Sequence, residues 1–125
     1  MYLRVSPDSN NTSKVSSIAG FAPEYPLGVY GMSKVAMIGL GKALASEMGV
    51  DGIRVNTLCP GVVRTKLSEM LWKSDYGRTT EEKVFLRRLA DPWEMSGTIA
   101  YLLSEDSGYV TGETVVAGGG VQARL

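Results

Sequence analysis

The longest amphipathic pattern in the chain predicts a helix from about Tyr30 to Met48. Apolar residues recur there at the three- and four-residue spacing of one helix face, with charged residues between them. Gly49 follows the last apolar position and marks the end of the helix. A second helix is predicted to begin near Pro92, with Asp91 as its N-cap, and to continue through the apolar positions up to 103.

Two segments after the first helix have strand patterns. Apolar and polar residues alternate from Ile53 to Leu58, and Cys59-Pro60-Gly61 ends this alternation. The segment from Thr114 to Ala117 is predicted to be the last strand, and three glycines close it. Between the two strands, residues 65–80 have a looser amphipathic pattern. Helix, strand, helix and strand in this order predict an α/β fold, half of a doubly wound parallel sheet.

Residues 1–14 differ from the rest because turn-forming side chains dominate them, and we expect a mobile segment there. A buried parallel strand is usually a near-continuous apolar run, whereas residues 10–14 read Asn-Asn-Thr-Ser-Lys. The predicted domain therefore starts at Val15.

Composition narrows the possible chemistry. The chain has 125 residues, 44% of them hydrophobic, which fits one small domain. Thirteen basic residues balance thirteen acidic ones, so there is no electrostatic reason to expect nucleic acid or an anionic membrane as partner. The most apolar window, Val29 to Val50, carries three charged residues and is not a membrane span. With no histidine and only Cys59, neither a zinc site nor a Ser-His-Asp triad can be built, so we expect no metal.

Acid and base chemistry must therefore use tyrosine, lysine or carboxylates. Tyr30 and Lys34 lie four residues apart on the predicted helix, which brings both side chains to one face. An ammonium beside a phenol stabilises the phenolate, so the pair could exchange protons. At helical spacing such a pair can equally be an ordinary surface contact, and Ser17, thirteen residues before Tyr30, could simply cap a turn.

The spacing of Ser17, Tyr30 and Ser33-Lys34 resembles the active site of the short-chain dehydrogenase/reductase family. Further blocks resemble this family in the same order: Ile53 to Asn56, Pro60 to Thr65, Arg88 to Pro92, and Tyr109 to Thr114. The resemblance implies a partial Rossmann-like domain over residues 15–122. Blocks at 70–72, 104–106 and 112–116 are similar to its branch of peroxisomal carbonyl and retinal reductases.

The resemblance implies roles for individual residues. Tyr30 would donate the proton, Lys34 would stabilise the phenolate and bind the nicotinamide ribose, and Ser17 would hold the substrate oxygen. The implied cofactor is NADPH, with NAD not excluded, and its partners on this chain would be Tyr30, Lys34, Pro60, Gly61, Val63 and Thr65. The substrate, a small carbonyl or alcohol compound, would contact Ser17, Leu67, Met70, Leu71 and Trp72. The last four residues would form a mobile flap over the substrate; the alternatives are that they belong to the core or to a subunit contact.

The family's glycine-rich Gly-x-x-x-Gly-x-Gly turn is absent from the 125 residues, so we expect the N-terminal dinucleotide-binding half of the sheet to be missing. Two hypotheses follow. The chain is part of an NADPH-dependent carbonyl reductase, or it is an inactive truncated variant that acts as an oligomerisation module. We expect the full-length family member to be a homo-oligomer. The tripeptide Ala123-Arg124-Leu125 follows the scheme of a peroxisomal address, which predicts recognition by the import receptor and a peroxisomal rather than cytoplasmic location.

Overall fold

The computed structural model describes residues 2–3, 11–23, 26–73 and 75–121. Its strands and helices are, in chain order, β1 (Tyr2–Leu3), β2 (Asn11–Val15), α1 (Gly28–Met48), β3 (Arg54–Pro60), α2 (Glu69–Trp72), α3 (Asp75–Lys83), α4 (Glu94–Leu103) and β4 (Thr114–Ala117).

The sheet has the strand order β1-β2-β3-β4. Strands β2, β3 and β4 are parallel, while β1 pairs antiparallel with β2. Helix α1 connects β2 to β3, and α4 lies in the connection from β3 to β4. Parallel neighbours joined through helices confirm the predicted α/β class.

The core surrounds β3. Val55, Leu58 and Cys59 are almost completely buried, and Leu102 of α4 packs into the same core. Gly41 lets α1 approach closely, because a Cβ atom at this position would lie 2.3 Å from the hydroxyl oxygen of Thr57. Only a residue without a side chain permits this approach.

The C-terminal end of α4 is held by polar side chains from the sheet. The guanidinium of Arg54 donates to the carbonyls of Leu102, at 3.2 Å, and Ser104, at 2.9 Å. Asn11 donates to the Leu103 carbonyl at 3.2 Å. The last carbonyls of a helix have no partner within the helix, and a cation at this end is favourable, so these contacts fix α4 against β2 and β3.

Strand β2 corrects the prediction for the start of the chain. We expected a mobile segment up to residue 14, but Asn11–Val15 form a strand in register with β3, from Asn11 opposite Arg54 to Val15 opposite Leu58. A parallel ladder uses backbone groups, so polar side chains do not prevent it. Residues 2–3 also form a short strand, while residues 1 and 4–10 of this prediction lie outside the described residues.

The helix predictions need smaller corrections. Helix α1 ends at Met48 as predicted and starts two residues earlier than Tyr30. Helix α4 begins at Glu94, later than predicted, and Asp91 is not its N-cap. Instead, the Glu94 carboxylate accepts the Asp91 N–H at 2.9 Å, which reverses the predicted cap. The loose segment contains the two short helices α2 and α3, and β4 has the predicted bounds.

Candidate active site

The loops after the three parallel strands meet at one edge of the sheet. Ser17 follows β2, Gly61 follows β3, and Gly118 follows β4. A Cβ atom on Gly61 would lie 3.0 Å from the Cα of Gly118, and one on Gly118 would lie 3.6 Å from the side chain of Ile18. In open α/β sheets, ligands bind outside the carboxyl ends of the strands, so this edge is the candidate site.

Ser17 caps a short turn at this edge. Its backbone is extended, and its hydroxyl oxygen accepts the Ala19 N–H at 3.2 Å, at the start of the 3₁₀ turn Ile18–Gly20. Capping was one of the two interpretations that the sequence left open. It uses a lone pair of the oxygen, so the hydroxyl proton can still point to a ligand.

The turn after Ser17 is clamped against the start of α1. A Cβ atom on Gly20 would lie 3.0 Å from the Lys34 carbonyl, and one on Gly31 would lie 2.9 Å from the Ala19 carbonyl. The Ser16 hydroxyl donates to the same Lys34 carbonyl at 2.9 Å. This backbone contact brings the turn carrying Ser17 alongside the helical turn that carries Lys34.

Tyr30 and Lys34 are in contact, as the four-residue spacing predicts. The Lys34 ammonium lies 5.2 Å from the centre of the Tyr30 ring. Lys34 also approaches the Met37 sulfur, at 3.9 Å, and Ser33 donates to the Tyr30 carbonyl at 2.6 Å. The Tyr30 side chain is 41% exposed, so a ligand can reach it. An ammonium beside an accessible phenol is an arrangement that can deliver a proton.

The loop after β3 crosses the same edge. Its half-buried backbone runs from Pro60 through Gly61, whose N–H donates to the Ala117 carbonyl at 3.0 Å. Val63 then forms a parallel bridge with Ala90. The predicted cofactor-side residues Gly61 and Val63 are thus fixed by backbone contacts on both sides.

The four predicted substrate-side residues divide into two kinds. Leu67 and Met70 are 93% and 86% exposed, whereas Leu71 and Trp72 are half-buried. The Trp72 indole donates to the Thr65 carbonyl at 3.1 Å. Two of the four side chains are therefore accessible to a ligand, and two support the loop.

A cavity of about 180 Å³ beside the β3 loop was not predicted. Residues far apart in the sequence line it, among them Val62, Val84, Met95 and Gly118. The three consecutive glycines after β4 are the only signal of it. Gly119 has φ of 62°, and a Cβ there would lie 2.7 Å from Val84, so a side chain is excluded at this wall.

An ion pair lies at the rim of this cavity. Arg88 donates two hydrogen bonds to the Glu94 carboxylate, at 2.7 and 2.6 Å. The hydrogen bond from Arg88, followed by the one from the Asp91 N–H, lowers the pKa of Glu94 to about 2. Glu94 therefore carries its charge at any physiological pH.

Three of the predicted cofactor-side residues lie along this edge of the sheet. Lys34 offers an ammonium, and Gly61 has no side chain where the backbone of the next loop passes at contact distance. The half-buried hydroxyl of Thr65 lies nearby in the same loop. Among the described residues, no group of three or more His, Cys, Asp or Glu side chains could hold a metal ion. Nor does any helix in the described ranges have the length and hydrophobicity to cross a membrane.

The fold and the site together define an α/β protein with a tyrosine-lysine pair near the carboxyl ends of its parallel strands. A family model described as enoyl-(acyl carrier protein) reductase matches residues 9–122. The chain belongs to the short-chain dehydrogenase/reductase family, a family of oxidoreductases, and the resemblance seen in the sequence is confirmed.

Curated relatives carry the same family name. Human dehydrogenase/reductase SDR family member 4 is 46% identical over 112 residues, which are 89% of this chain and 40% of the relative. The Caenorhabditis elegans protein of the same name is 45% identical over 105 residues, 79% of this chain and 40% of that relative. The chain thus spans less than half the length of these relatives.

Solved structures agree with the fold. A short-chain type dehydrogenase/reductase from Mycobacterium marinum, 37% identical, superposes with a TM-score of 0.83 over 90% of this chain and 44% of that one. A 4-hydroxyisoleucine dehydrogenase complexed with NADH, 32% identical, also has a TM-score of 0.83, over 90% of this chain and 47% of that one. The described sheet is therefore about half of a Rossmann-type sheet, as predicted.

Proposed function

We propose that this chain carries the catalytic half of an NADPH-dependent carbonyl reductase. The observation that supports this most directly is the packing of the turn that carries Ser17 against the start of α1, which carries Tyr30 and Lys34. The curated relatives are named dehydrogenase/reductase, but the chain spans only 40% of their length. The activity therefore belongs to an assembly that includes the rest of the dinucleotide site.

Each of the three residues has a chemical task in this proposal. Tyr30 gives its proton to the carbonyl oxygen, and the adjacent Lys34 stabilises the phenolate that remains. Ser17, whose oxygen is held by the Ala19 N–H, donates its own proton to the same carbonyl oxygen and stabilises the developing charge. Bound NADPH supplies the hydride that reduces the carbonyl carbon.

The cofactor would be held by groups at the same edge. Lys34 and Tyr30 would bind the ribose hydroxyls, while Gly61 and Val63, next to Pro60, would contact the carboxamide. Thr65 would lie near the diphosphate. NADPH rather than NADH follows from the resemblance to the carbonyl reductase branch, and the 4-hydroxyisoleucine dehydrogenase structure holds NADH.

The substrate in this proposal is an apolar aldehyde or ketone. Leu67 and Met70 expose apolar side chains beside the edge, and Leu71 and Trp72 form the base of the same segment. Burial of apolar surface by a ligand would stabilise its binding there. Retinal and aromatic ketones have this character.

Turnover tests the catalytic proposal. The chain, within the assembly that completes the dinucleotide site, is mixed with NADPH and an apolar dicarbonyl, and the loss of nicotinamide absorbance is followed. Tyr30→Phe should lower the rate by a factor of about 10² to 10⁴, the usual contribution of a general acid. Tyr101→Phe is the matched control, because Tyr101 is also a helical tyrosine and is 46% exposed. A Tyr30→Phe chain as active as the Tyr101→Phe control would refute the assignment of Tyr30.

An interaction module is the second candidate. Along one stretch of α1, Val29, Met32, Val35 and Leu40 expose apolar side chains, and full-length subunits could cover them as in a homo-oligomer. In this case the purified chain neither binds NADPH nor turns over, but it associates with full-length protein in sedimentation. Met32→Lys should abolish that association, whereas Lys42→Glu, outside the apolar positions of α1, should not.

The peroxisomal location is also a proposal, and it depends on Ala123-Arg124-Leu125, outside the described residues. A reporter protein that ends in residues 116–125 should enter peroxisomes through the import receptor. Replacing Arg124 with Glu in the reporter should leave it in the cytoplasm. Equal distribution of both reporters would reject the address.

A further inference from the structure

The hydroxyl of Ser68 is the centre of a hydrogen-bond cluster that the proposed mechanism does not use. It donates to the carbonyl of Val63 and approaches the carbonyl of Thr65 at 3.2 Å. The same oxygen lies 3.1 Å from the Thr65 N–H and 3.0 Å from the Thr65 hydroxyl. The Ser68 N–H in turn donates to the Thr65 hydroxyl at 3.3 Å.

The number of hydroxyl protons in this cluster determines which group is the donor in each hydrogen bond. Ser68 has a single hydroxyl proton, and it is directed to the carbonyls of Val63 and Thr65. The bond between the two hydroxyls must then use the proton of Thr65, so Ser68 accepts from both the backbone and the side chain of Thr65. Thr65 is thereby held at both its N–H and its hydroxyl by one residue.

Trp72 is tied to the same point. Its indole N–H donates to the Thr65 carbonyl at 3.1 Å, and the Lys73 ammonium lies 5.4 Å from the centre of its ring. Thr65 belongs to the proposed cofactor side, and Trp72 to the proposed substrate side. One threonine thus connects the two sides through its backbone and its side chain.

We propose that Ser68 is a positioning residue that locks Thr65 and Trp72 into one unit, so that contact of the cofactor with Thr65 is transmitted to the substrate side. The inference rests on the proposed function for the roles of Thr65 and Trp72. Ser68 itself touches neither ligand in this proposal. It acts by fixing the loop between β3 and α2.

Tryptophan fluorescence tests the lock without any cofactor. The chain has two tryptophans, so Trp93→Phe leaves Trp72 as the only one. In this background, Ser68→Ala should shift the Trp72 emission to the red and raise its quenching by acrylamide towards the value of free tryptophan. Ser68→Thr, which keeps the hydroxyl, should restore both. An unchanged Trp72 signal in Ser68→Ala would overturn the proposal.

Ser104→Ala is the matched control. The Ser104 hydroxyl also donates to a carbonyl three residues earlier, that of Tyr101, at 2.9 Å, but it lies at the end of α4. This variant should leave the Trp72 signal unchanged, so a general loss of stability is separated from the local effect. If Ser68→Ala does not fold, Thr65→Val removes the other hydroxyl of the pair: a red shift supports the lock, and its absence overturns it.

Titration with NADPH then separates the lock from the proposed function. In the Trp93→Phe background NADPH should change the Trp72 emission. Ser68→Ala should weaken NADPH binding about fivefold to tenfold, as expected for the loss of one hydrogen bond, and reduce this change. If NADPH does not change the Trp72 emission, the transmission fails, while the fluorescence of Ser68→Ala alone decides the lock, and the turnover experiment decides the proposed function.

Discussion

Strands β2 and β3 are parallel neighbours, yet Ser13 and Asn56, the buried polar residues that lie opposite each other in them, differ in their hydrogen bonds. In β3, Asn56 donates to the Val110 carbonyl at 2.8 Å and accepts the Glu113 N–H at 3.1 Å. In β2, Ser13 is completely buried, and its hydroxyl has no hydrogen-bond partner within the described part of the chain. The polar residues of β3 thus connect the strand to the loop before β4, whereas Ser13 connects to nothing comparable.

The two strands also carry one cation each, Lys14 and Arg54. The Lys14 side chain has no exposed surface in the structure, and burial lowers the pKa of its ammonium. Arg54, the cation of β3, instead directs its guanidinium to carbonyls at the end of α4. A buried polar group stabilises a fold only when its hydrogen bonds replace those it made with water, so Asn56 should support this sheet more than Ser13 does.

Replacing Asn56 with alanine should have the largest effect on stability. The change leaves the Val110 carbonyl and the Glu113 N–H without their partner, and we expect a loss of roughly 3 kcal/mol in the free energy of unfolding. Urea denaturation followed by circular dichroism measures it. A loss below about 0.5 kcal/mol, the range of ordinary surface changes, would show that these contacts do not stabilise β3.

Replacing Lys14 with methionine should change stability in the opposite direction. Because burial disfavours the charged form of this side chain, removing the ammonium should raise the free energy of unfolding by about 1 to 3 kcal/mol near neutral pH. The exposed Lys42 gives the control, because Lys42→Met should stay within about 0.5 kcal/mol of the original chain. A destabilised Lys14→Met chain would mean that Lys14 supports β2.

The pH dependence of this difference has a definite sign. The folded pKa of Lys14 lies below its usual value of 10.5, so the unfolded chain binds the proton more tightly. The penalty is complete below the folded pKa and disappears as pH rises towards 10.5. The advantage of Lys14→Met should therefore shrink at alkaline pH, which urea denaturation at a series of pH values can follow.

Replacing either of two serines in or next to β2 with alanine should change the free energy of unfolding by a smaller amount, and in opposite directions. Ser13→Ala removes a buried hydroxyl without a partner in the described residues, and should be neutral or stabilising by up to about 1 kcal/mol. Ser16→Ala removes the bond to the Lys34 carbonyl and should cost about 1 kcal/mol. Each serves as the control of the other. Equal losses of stability in both variants would mean that the hydrogen bond of Ser16 does not distinguish it from Ser13.

The same contrast explains which elements the sequence could predict. Helix α1 and strand β4 were predicted because each is a local pattern that ends at a glycine, although the residues that α1 buries are Gly31, Gly41 and Ala45 and not its large apolar side chains. Strand β2 was missed because its pairing depends on β3, where Asn11 meets Arg54 far along the chain. No local pattern of turn-forming residues contains that information.

The candidate site also has features that the sequence could predict and features that it could not. The contact between Tyr30 and Lys34 was predictable because one helical turn fixes it. The role of Ser68 was not, because a hydroxyl can bond to many backbone groups and the path of the loop selects among them. The cavity beside the β3 loop required three segments that only the sheet brings together.

The Arg88–Glu94 pair should show the smallest effect, and it tests whether a paired surface charge behaves differently from buried Lys14. The pKa of Glu94 is about 2 in the fold, against its usual 4.5, so the pair should stabilise the fold above 4.5 and lose this contribution as pH falls to about 2. The stability difference between the original chain and Glu94→Gln should be constant at neutral pH and vanish in that acid range. Carboxyl chemical shifts in NMR should give the low pKa directly. If Glu94 titrates near 4.5 instead, solvent weakens its interaction with Arg88. Buried hydrogen bonds such as those of Asn56 would then contribute more to the stability of the fold than this surface ion pair does.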